Sequence, residues 1–130
     1  MHLERAMRLD PNYEEPFFFF GDLLVKKGNS QGALEPLRQA IRIRPDYIPA
    51  RVLLARALMN LEQFRDALRE LNATVERDPK HPQPHLLLSQ IYFRLGDERR
   101  AKVEKDLSLK LRRENPTILE AVQGRPFPAR

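Results

Sequence analysis

Apolar residues recur every three or four positions along most of the chain, which is the spacing of one face of an α-helix. One stretch carries the pattern without a break: Leu54, Leu58, Leu61, Phe64, Leu68, Leu71 and Val75. Turn signals divide the chain into separate helices. Gly28 and Gly96 are typical residues just beyond a helix, and Asn29 and Asp97 can cap the helix that follows. The pattern predicts an all-α chain, with helices over 14–27, 30–43, 48–60, 64–77, 82–95 and about 98–114.

The same pattern repeats every 34 residues, and no gap is needed to align the copies. The step relates small residues in three columns: Gly21, Ala55 and Ser89; Ala33, Ala67 and Ala101; Ala6, Ala40, Thr74 and Ser108. It also relates prolines and bulky apolar residues: Pro11, Pro45 and Pro79; Phe20, Leu54 and Leu88; Leu3, Leu37 and Leu71. Two helices approach closely only where one presents a small side chain, so these columns predict helix pairs that stack with a fixed spacing.

The chain departs from this period in its first and last repeats. Pro36 falls inside a predicted helix, and we expect that helix to bend or to start late. Arg113 stands where the next closing proline would fall, so the last helix is predicted to continue to about Glu114, with Pro116 as its stop. Segment 117–122 is predicted to form a short helix against the last repeat.

Residues 1–9 match only the second half of the second helix of a repeat. Leu3, Ala6 and Met7 would lack a partner helix, whereas a repeat array needs a polar cap at each end. We therefore expect either that the chain is cut from a longer array or that residues 1–9 pair with another copy of it. The first interpretation is favoured.

On these residues the chain resembles the tetratricopeptide repeat (TPR) family. The residues that carry the resemblance in one repeat are Phe17, Phe20, Gly21, Leu24, Ala33, Leu37, Ala40 and Pro45. The resemblance implies a right-handed α-solenoid of antiparallel helix pairs, with three TPR units after a preceding half-repeat helix. The expected boundaries are 1–12 for the truncated repeat, 13–46, 47–80 and 81–115 for the three units, and 116–130 for the short helix and an extended tail.

In that family the first helices of successive repeats line a concave groove, which implies a scaffold that binds a peptide or a partner protein. The 34-residue step gives four groove columns: Phe18, Val52 and Leu86; Val25, Met59 and Phe93; Asp22, Arg56 and Gln90; Lys26, Asn60 and Arg94. Two columns are apolar and could instead be helix–helix core. The others give a polar, mildly basic edge, where Arg56 and Arg94 would steer acidic residues of a partner.

Composition leaves two alternatives to this interpretation. A net charge of +5, with 42% hydrophobic and 32% charged residues, is typical of a folded protein with a solvated basic surface. The alternatives are a structural array that self-associates through residues 1–9 and, less favoured, a nucleic-acid binder that uses the basic stretch 99–113. That stretch is interrupted by Glu104 and Asp106 and lacks stacking aromatics. No signal peptide or membrane span is recognised, so we expect no membrane partner and, by default, a cytoplasmic location.

Neither an enzyme activity nor a cofactor is expected. The chain has no Cys, and it lacks the glycine-rich phosphate loops and nucleophile motifs of the common enzyme classes. His81 and His85 are four residues apart, but Pro82 and Pro84 lie between them at a predicted helix start. We interpret both as surface histidines rather than metal ligands, since no third ligand accompanies them.

Overall fold

The computed structural model describes residues 13–115, which form six helices. The helices are α1 (Glu14–Lys26), α2 (Ser30–Ile43), α3 (Ile48–Asn60), α4 (Phe64–Arg77), α5 (Pro82–Arg94) and α6 (Glu98–Glu114). No strand occurs within that range. Every helix begins at its predicted residue, and only α1 and α5 end one residue earlier than predicted. The predictions for 1–12 and for 116–130 lie outside the described residues.

The helices belong to two compact units, of which the first ends at Arg77 and the second begins at Asp78. In the first unit α1 packs against α2, α2 against α3 and α3 against α4, and α1 also contacts α3. In the second unit α5 packs against α6. The interior of the first unit includes Leu37 and Leu71, both 0% exposed. Burying a leucine side chain contributes roughly 1.5–3 kcal/mol, so these apolar faces drive the pairing.

Close packing between α1 and α2 explains the small residue at position 21. A Cβ added to Gly21 would lie 2.6 Å from Cδ2 of Leu37, a side chain that is fully buried. Ala33, Ala55 and Ala67, from the same small-residue columns, have no exposed surface. The columns therefore mark sites of helix contact, as the sequence predicted.

The turn inside each helix pair has one residue in the left-handed region. Gly28 and Gly96 have φ of +83° and +84°, as expected of glycine after a helix. Glu62 occupies the corresponding place in the middle repeat, with φ of 59°. The predicted caps follow two of these turns: Oδ1 of Asn29 accepts from the Gly32 amide at 2.9 Å, and Oδ1 of Asp97 accepts from the Arg100 amide at 3.1 Å.

Two helices resolve the departures from the period. α2 begins at Ser30 and runs through Pro36 to Ile43, so the alternative of a late start is wrong. An interior proline costs about 3 kcal/mol, through a lost backbone hydrogen bond and a clash with the preceding turn, and the apolar face of α2, which is buried from Ala33 to Ala40, offsets that cost. The last helix continues to Glu114, as predicted.

Candidate partner-binding surface

The predicted groove residues of α1 lie on one face of the helix. Phe18 and Val25 are half-buried, and Asp22 pairs with Lys26 at 2.9 Å, one helical turn away. The Phe18 ring also packs edge-on against Tyr47, with 5.3 Å between ring centroids. This face therefore presents partly covered apolar side chains beside a charge pair whose two members offset each other.

The corresponding residues of α3 differ among themselves in exposure. Val52 is 5% exposed, so it packs inside the protein and offers almost no surface to a partner. Met59 is half-buried and Arg56 is exposed. Arg56 makes no ion pair with another residue between 13 and 115. Asn60 donates from Nδ2 to Oγ of Ser30 at 3.0 Å, which fixes its amide.

In the second unit, the predicted residues of α5 form a more open stripe. Leu86 is half-buried, Gln90 and Arg94 are exposed, and Phe93 is 65% exposed. Leu86, Gln90 and Phe93 follow helical spacing and share one face. The structure thus brings the predicted residues of α1 and α3 onto two contacting helices, and those of α5 onto one helix of the second unit.

Sequence reasoning missed a buried polar contact in the first unit. The Arg51 side chain donates from Nε to the Pro45 carbonyl at 2.5 Å and from Nη1 to Oε1 of Glu70 at 3.2 Å. Arg51 thereby ties the turn before α3 to the middle of α4. Burial raises the pKa of Glu70, while the positive charge of Arg51 acts in the opposite direction.

The second unit has the same contact with another residue at its centre. His85 is 4% exposed, so its interpretation as a surface histidine is wrong. Its Nδ1 lies 3.2 Å from Oε2 of Glu104, and its Nε2 lies 3.2 Å from the Pro79 carbonyl. The 34-residue step relates His85, Pro79 and Glu104 to Arg51, Pro45 and Glu70, and that step was the available signal.

His81 occupies a different environment from His85. It is the residue before α5, and its Nδ1 accepts a hydrogen bond from the Gln83 amide at 3.3 Å. Burial lowers the pKa of His81, against an opposing effect of the Asp78 carboxylate. Among the described residues, no group of three or more His, Cys, Asp and Glu side chains could hold a metal ion.

The charges of α6 are partly paired within the helix. Lys102 pairs with Asp106 at 3.2 Å, and Arg100 pairs with Asp97 at 3.5 Å while its guanidinium lies 5.7 Å from the centre of the Tyr92 ring. This arrangement is typical of a solvated face with mixed charges. None of the helices within 13–115 is long and apolar enough to cross a membrane. The predicted contact between copies through residues 1–9 lies outside the described residues.

Solved structures with similar folds are helical-repeat proteins. MamA of Desulfovibrio magneticus RS-1 superposes with a TM-score of 0.78 at 23% identity, over 86% of this chain and 63% of that one. YrrB, described as a TPR protein with an unusual peptide-binding site, superposes with a TM-score of 0.77 at 23% identity, over 93% of this chain and 62% of YrrB. At this level of identity the likeness establishes the fold class alone, that of an all-α helical-repeat solenoid.

Sequence comparison points to the same class. A TPR repeat-containing thioredoxin of Arabidopsis thaliana is 30% identical over 82 residues, which are 63% of this chain. The chain spans only 12% of the length of that relative. The family model described as tetratricopeptide repeat matches residues 24–91, more than half of the 130 residues. The chain therefore belongs to the tetratricopeptide repeat family.

Proposed function

We propose that this protein-interaction module holds a peptide or a segment of a partner protein on the face shared by α1 and α3. The observation that carries the proposal is Arg56, an exposed cation without an ion pair among residues 13–115, beside the half-buried Met59. The contacting helix α1 adds Phe18 and Val25. TPR proteins are in general scaffolds without catalytic activity, and a binding role alone is proposed here.

The composition of this face defines the partner segment that it fits. Half-buried apolar side chains offer contact area, so the segment carries apolar residues that cover Met59 and Val25. An exposed ion pair contributes only about 0–1 kcal/mol, so Arg56 adds orientation and association rate more than affinity. The proposed segment is apolar with an acidic residue. In the second unit, Leu86, Gln90, Phe93 and Arg94 offer a comparable face.

A library of random peptides displayed on phage, selected on the purified chain, provides the probe. A synthetic copy of the selected peptide is then titrated against variants by fluorescence anisotropy. Met59→Asp is expected to abolish its binding, because it puts a charge where apolar contact forms, and Arg56→Glu is expected to weaken it, because it repels an acidic residue. Circular dichroism checks that both variants stay folded.

Arg65→Glu is the matched control, since Arg65 is an exposed arginine of α4 outside the proposed face. It inverts the same charge and is expected to leave binding unchanged. If Arg56→Glu and Met59→Asp bind the peptide as tightly as the unmodified chain does, the groove assignment is wrong. Equal loss in Arg65→Glu would point to a nonspecific effect of net charge.

A further inference from the structure

A group of aromatic side chains is exposed at the beginning of α1. Tyr13 and Phe19 are 43% and 48% exposed. The Phe18 ring lies near both Phe19 and Tyr47, with centroid distances of 5.4 Å and 5.3 Å. We refer to Tyr13, Phe18, Phe19 and Tyr47 as the aromatic patch. Clustered exposed apolar side chains of this kind tend to mark contact surfaces.

Carboxylates adjoin the aromatic patch, and they are not equivalent. Glu14 and Asp46 both pair with Arg44, at 3.2 Å and 3.7 Å. Glu15 accepts a hydrogen bond from the Tyr13 hydroxyl and forms no ion pair with any basic residue in the described part of the chain. It lies three residues before Phe18 and four before Phe19, so both phenylalanines are its neighbours on the helix surface.

The patch is therefore locally negative in a chain whose net charge is +5. The negative charge also affects the pKa values of two tyrosines in the patch. The hydrogen bond to Glu15 raises the pKa of Tyr13. Burial raises the pKa of Tyr47, the charges of Glu15 and Glu14 raise it further, and Arg44 lowers it.

The protein already contains one example of the chemistry that such a surface supports. The Arg44 guanidinium lies 5.1 Å from the centre of the Tyr47 ring while it is bound to Glu14. A cation over an aromatic face beside a carboxylate is stabilised by both groups. Around Glu15 and the neighbouring rings of Phe18 and Phe19, the aromatic and the acidic components are present and no described residue supplies the cation.

We propose that the aromatic patch binds an arginine-bearing, extended segment of a partner protein, with the guanidinium against Glu15 and the Phe19 ring. Arginine fits better than lysine, because its planar group stacks on rings while it pairs with a carboxylate. Proline or aliphatic neighbours of the arginine would pack on the exposed aromatic faces, as extended peptides do in aromatic-lined grooves. This surface shares only Phe18 with the groove proposed above, so either proposal can fail without the other.

The probe is a short fluorescein-labelled peptide with Arg-Pro-Leu repeats, titrated against the full chain by fluorescence anisotropy. Two matched probes replace each arginine by citrulline, which is neutral and of the same shape, or by glutamate. We expect binding of the arginine peptide only. Phe19→Ala should weaken it about tenfold, the upper range of a cation–π contact, and Glu15→Gln about threefold.

Val103→Ala is the control, since Val103 is an exposed apolar residue of α6 outside both proposed surfaces and should not affect this peptide. Equal binding of the citrulline peptide would overturn the proposal, and so would loss in Val103→Ala with none in Phe19→Ala. Light scattering after size exclusion tests whether a second copy of the chain occupies the aromatic patch instead. A concentration-dependent dimer that Phe19→Ala dissolves, without binding of the arginine peptide, would mean that a second copy covers the patch.

Discussion

The two compact units contain the same three-point contact, built around different residues. In the first unit Arg51 links the Pro45 carbonyl to Glu70, and in the second His85 lies between the Pro79 carbonyl and Glu104. Arginine always carries its charge and has five N–H donors, so it serves both acceptors under all ordinary conditions. An imidazole donates to two acceptors only when both nitrogens carry protons. The two contacts therefore differ in donor number, because arginine has N–H groups for both acceptors at once and a neutral imidazole has only one N–H.

The largest effect is expected from Arg51→Met. This change leaves the Glu70 carboxylate without its cation in a largely buried site and removes a donor from the Pro45 carbonyl. Breaking one side of a buried ion pair costs about 3–5 kcal/mol. Urea unfolding followed by circular dichroism at equal pH measures the difference.

The double variant Arg51→Met with Glu70→Leu is the control for that prediction. Removing both charges leaves no uncompensated ion, so most of the lost free energy of unfolding should return. If the single variant costs less than about 1 kcal/mol, the pair is no stronger than a surface ion pair, and the comparison fails at its first step.

Exchanging the two central residues sharpens the comparison. His85→Arg should stabilise the chain by about 1 kcal/mol, because a charged donor then serves Glu104 and the Pro79 carbonyl together. The reciprocal Arg51→His should destabilise it by a similar amount. Both are measured by urea unfolding at neutral pH. Destabilisation by His85→Arg alongside a neutral Arg51→His would mean that side-chain volume, rather than donor number, determines the choice of residue.

His81 makes a pH-dependent contribution in the second unit. Its folded-state pKa is lowered from 6.5 by burial, so this contribution is present above the unfolded value and is lost as pH falls through the lowered folded value. A protonated Nδ1 also cannot accept the hydrogen bond from Gln83. Below pH 6.5 His81→Asn, which caps without titrating, should become the more stable chain, by about 1 kcal/mol.

Thermal unfolding of the unmodified chain and of His81→Asn over a pH series measures the pH at which the order of their stabilities reverses. His85→Asn provides a comparison with the same change of side chain at the other histidine of the described residues, and it shows whether this reversal belongs to the cap position alone. Parallel curves for His81→Asn instead would show that the His81 cap does not depend on its protonation state.

The helical framework could be predicted from the sequence because its signals are local and repeated. Gly28, Asn29, Gly96 and Asp97 mark turns through backbone conformation and capping, and these effects act within a few residues. The period then aligns weak signals from separate repeats. Pro36 misled only in part, since the cost of an interior proline is smaller than the gain from a buried helix face.

The candidate surface was less predictable, because exposure depends on what packs over each position. Val52 and Phe93 both come from the two apolar columns, yet Val52 is 5% exposed and Phe93 is 65% exposed. Periodicity assigns a residue to a helix face but does not tell how much of that face is covered. His85 was misassigned to the surface for a related reason: its polarity suggested exposure, although its contact with Glu104 made burial possible. The burial of Arg51 against Glu70 was not predicted at all.

The smallest predicted effect concerns the three turns, where the middle repeat again differs from its neighbours. Glu62 has φ of 59°, at the position held by Gly28 and Gly96 in the other two turns. A left-handed conformation costs a residue with a Cβ about 1–2 kcal/mol. Glycine avoids that strain, but its greater freedom in the unfolded chain reduces the gain in stability by about 0.5–1 kcal/mol. Glu62→Gly should therefore raise the free energy of unfolding by about 0.5 kcal/mol, measured by urea unfolding.

Two companion variants separate the backbone from the side chain in that turn. Glu62→Ala keeps the left-handed strain and removes the carboxylate, so its change in the free energy of unfolding measures the contribution of the carboxylate by itself. Gly28→Ala places a Cβ where no atom beyond the adjacent residues lies within 4 Å, so its expected cost of about 1 kcal/mol reports backbone conformation without a clash. If Gly28→Ala is neutral, the left-handed turn carries no strain in this protein. A gain in Glu62→Gly would then have to come from the side chain, and Glu62→Ala would reproduce it.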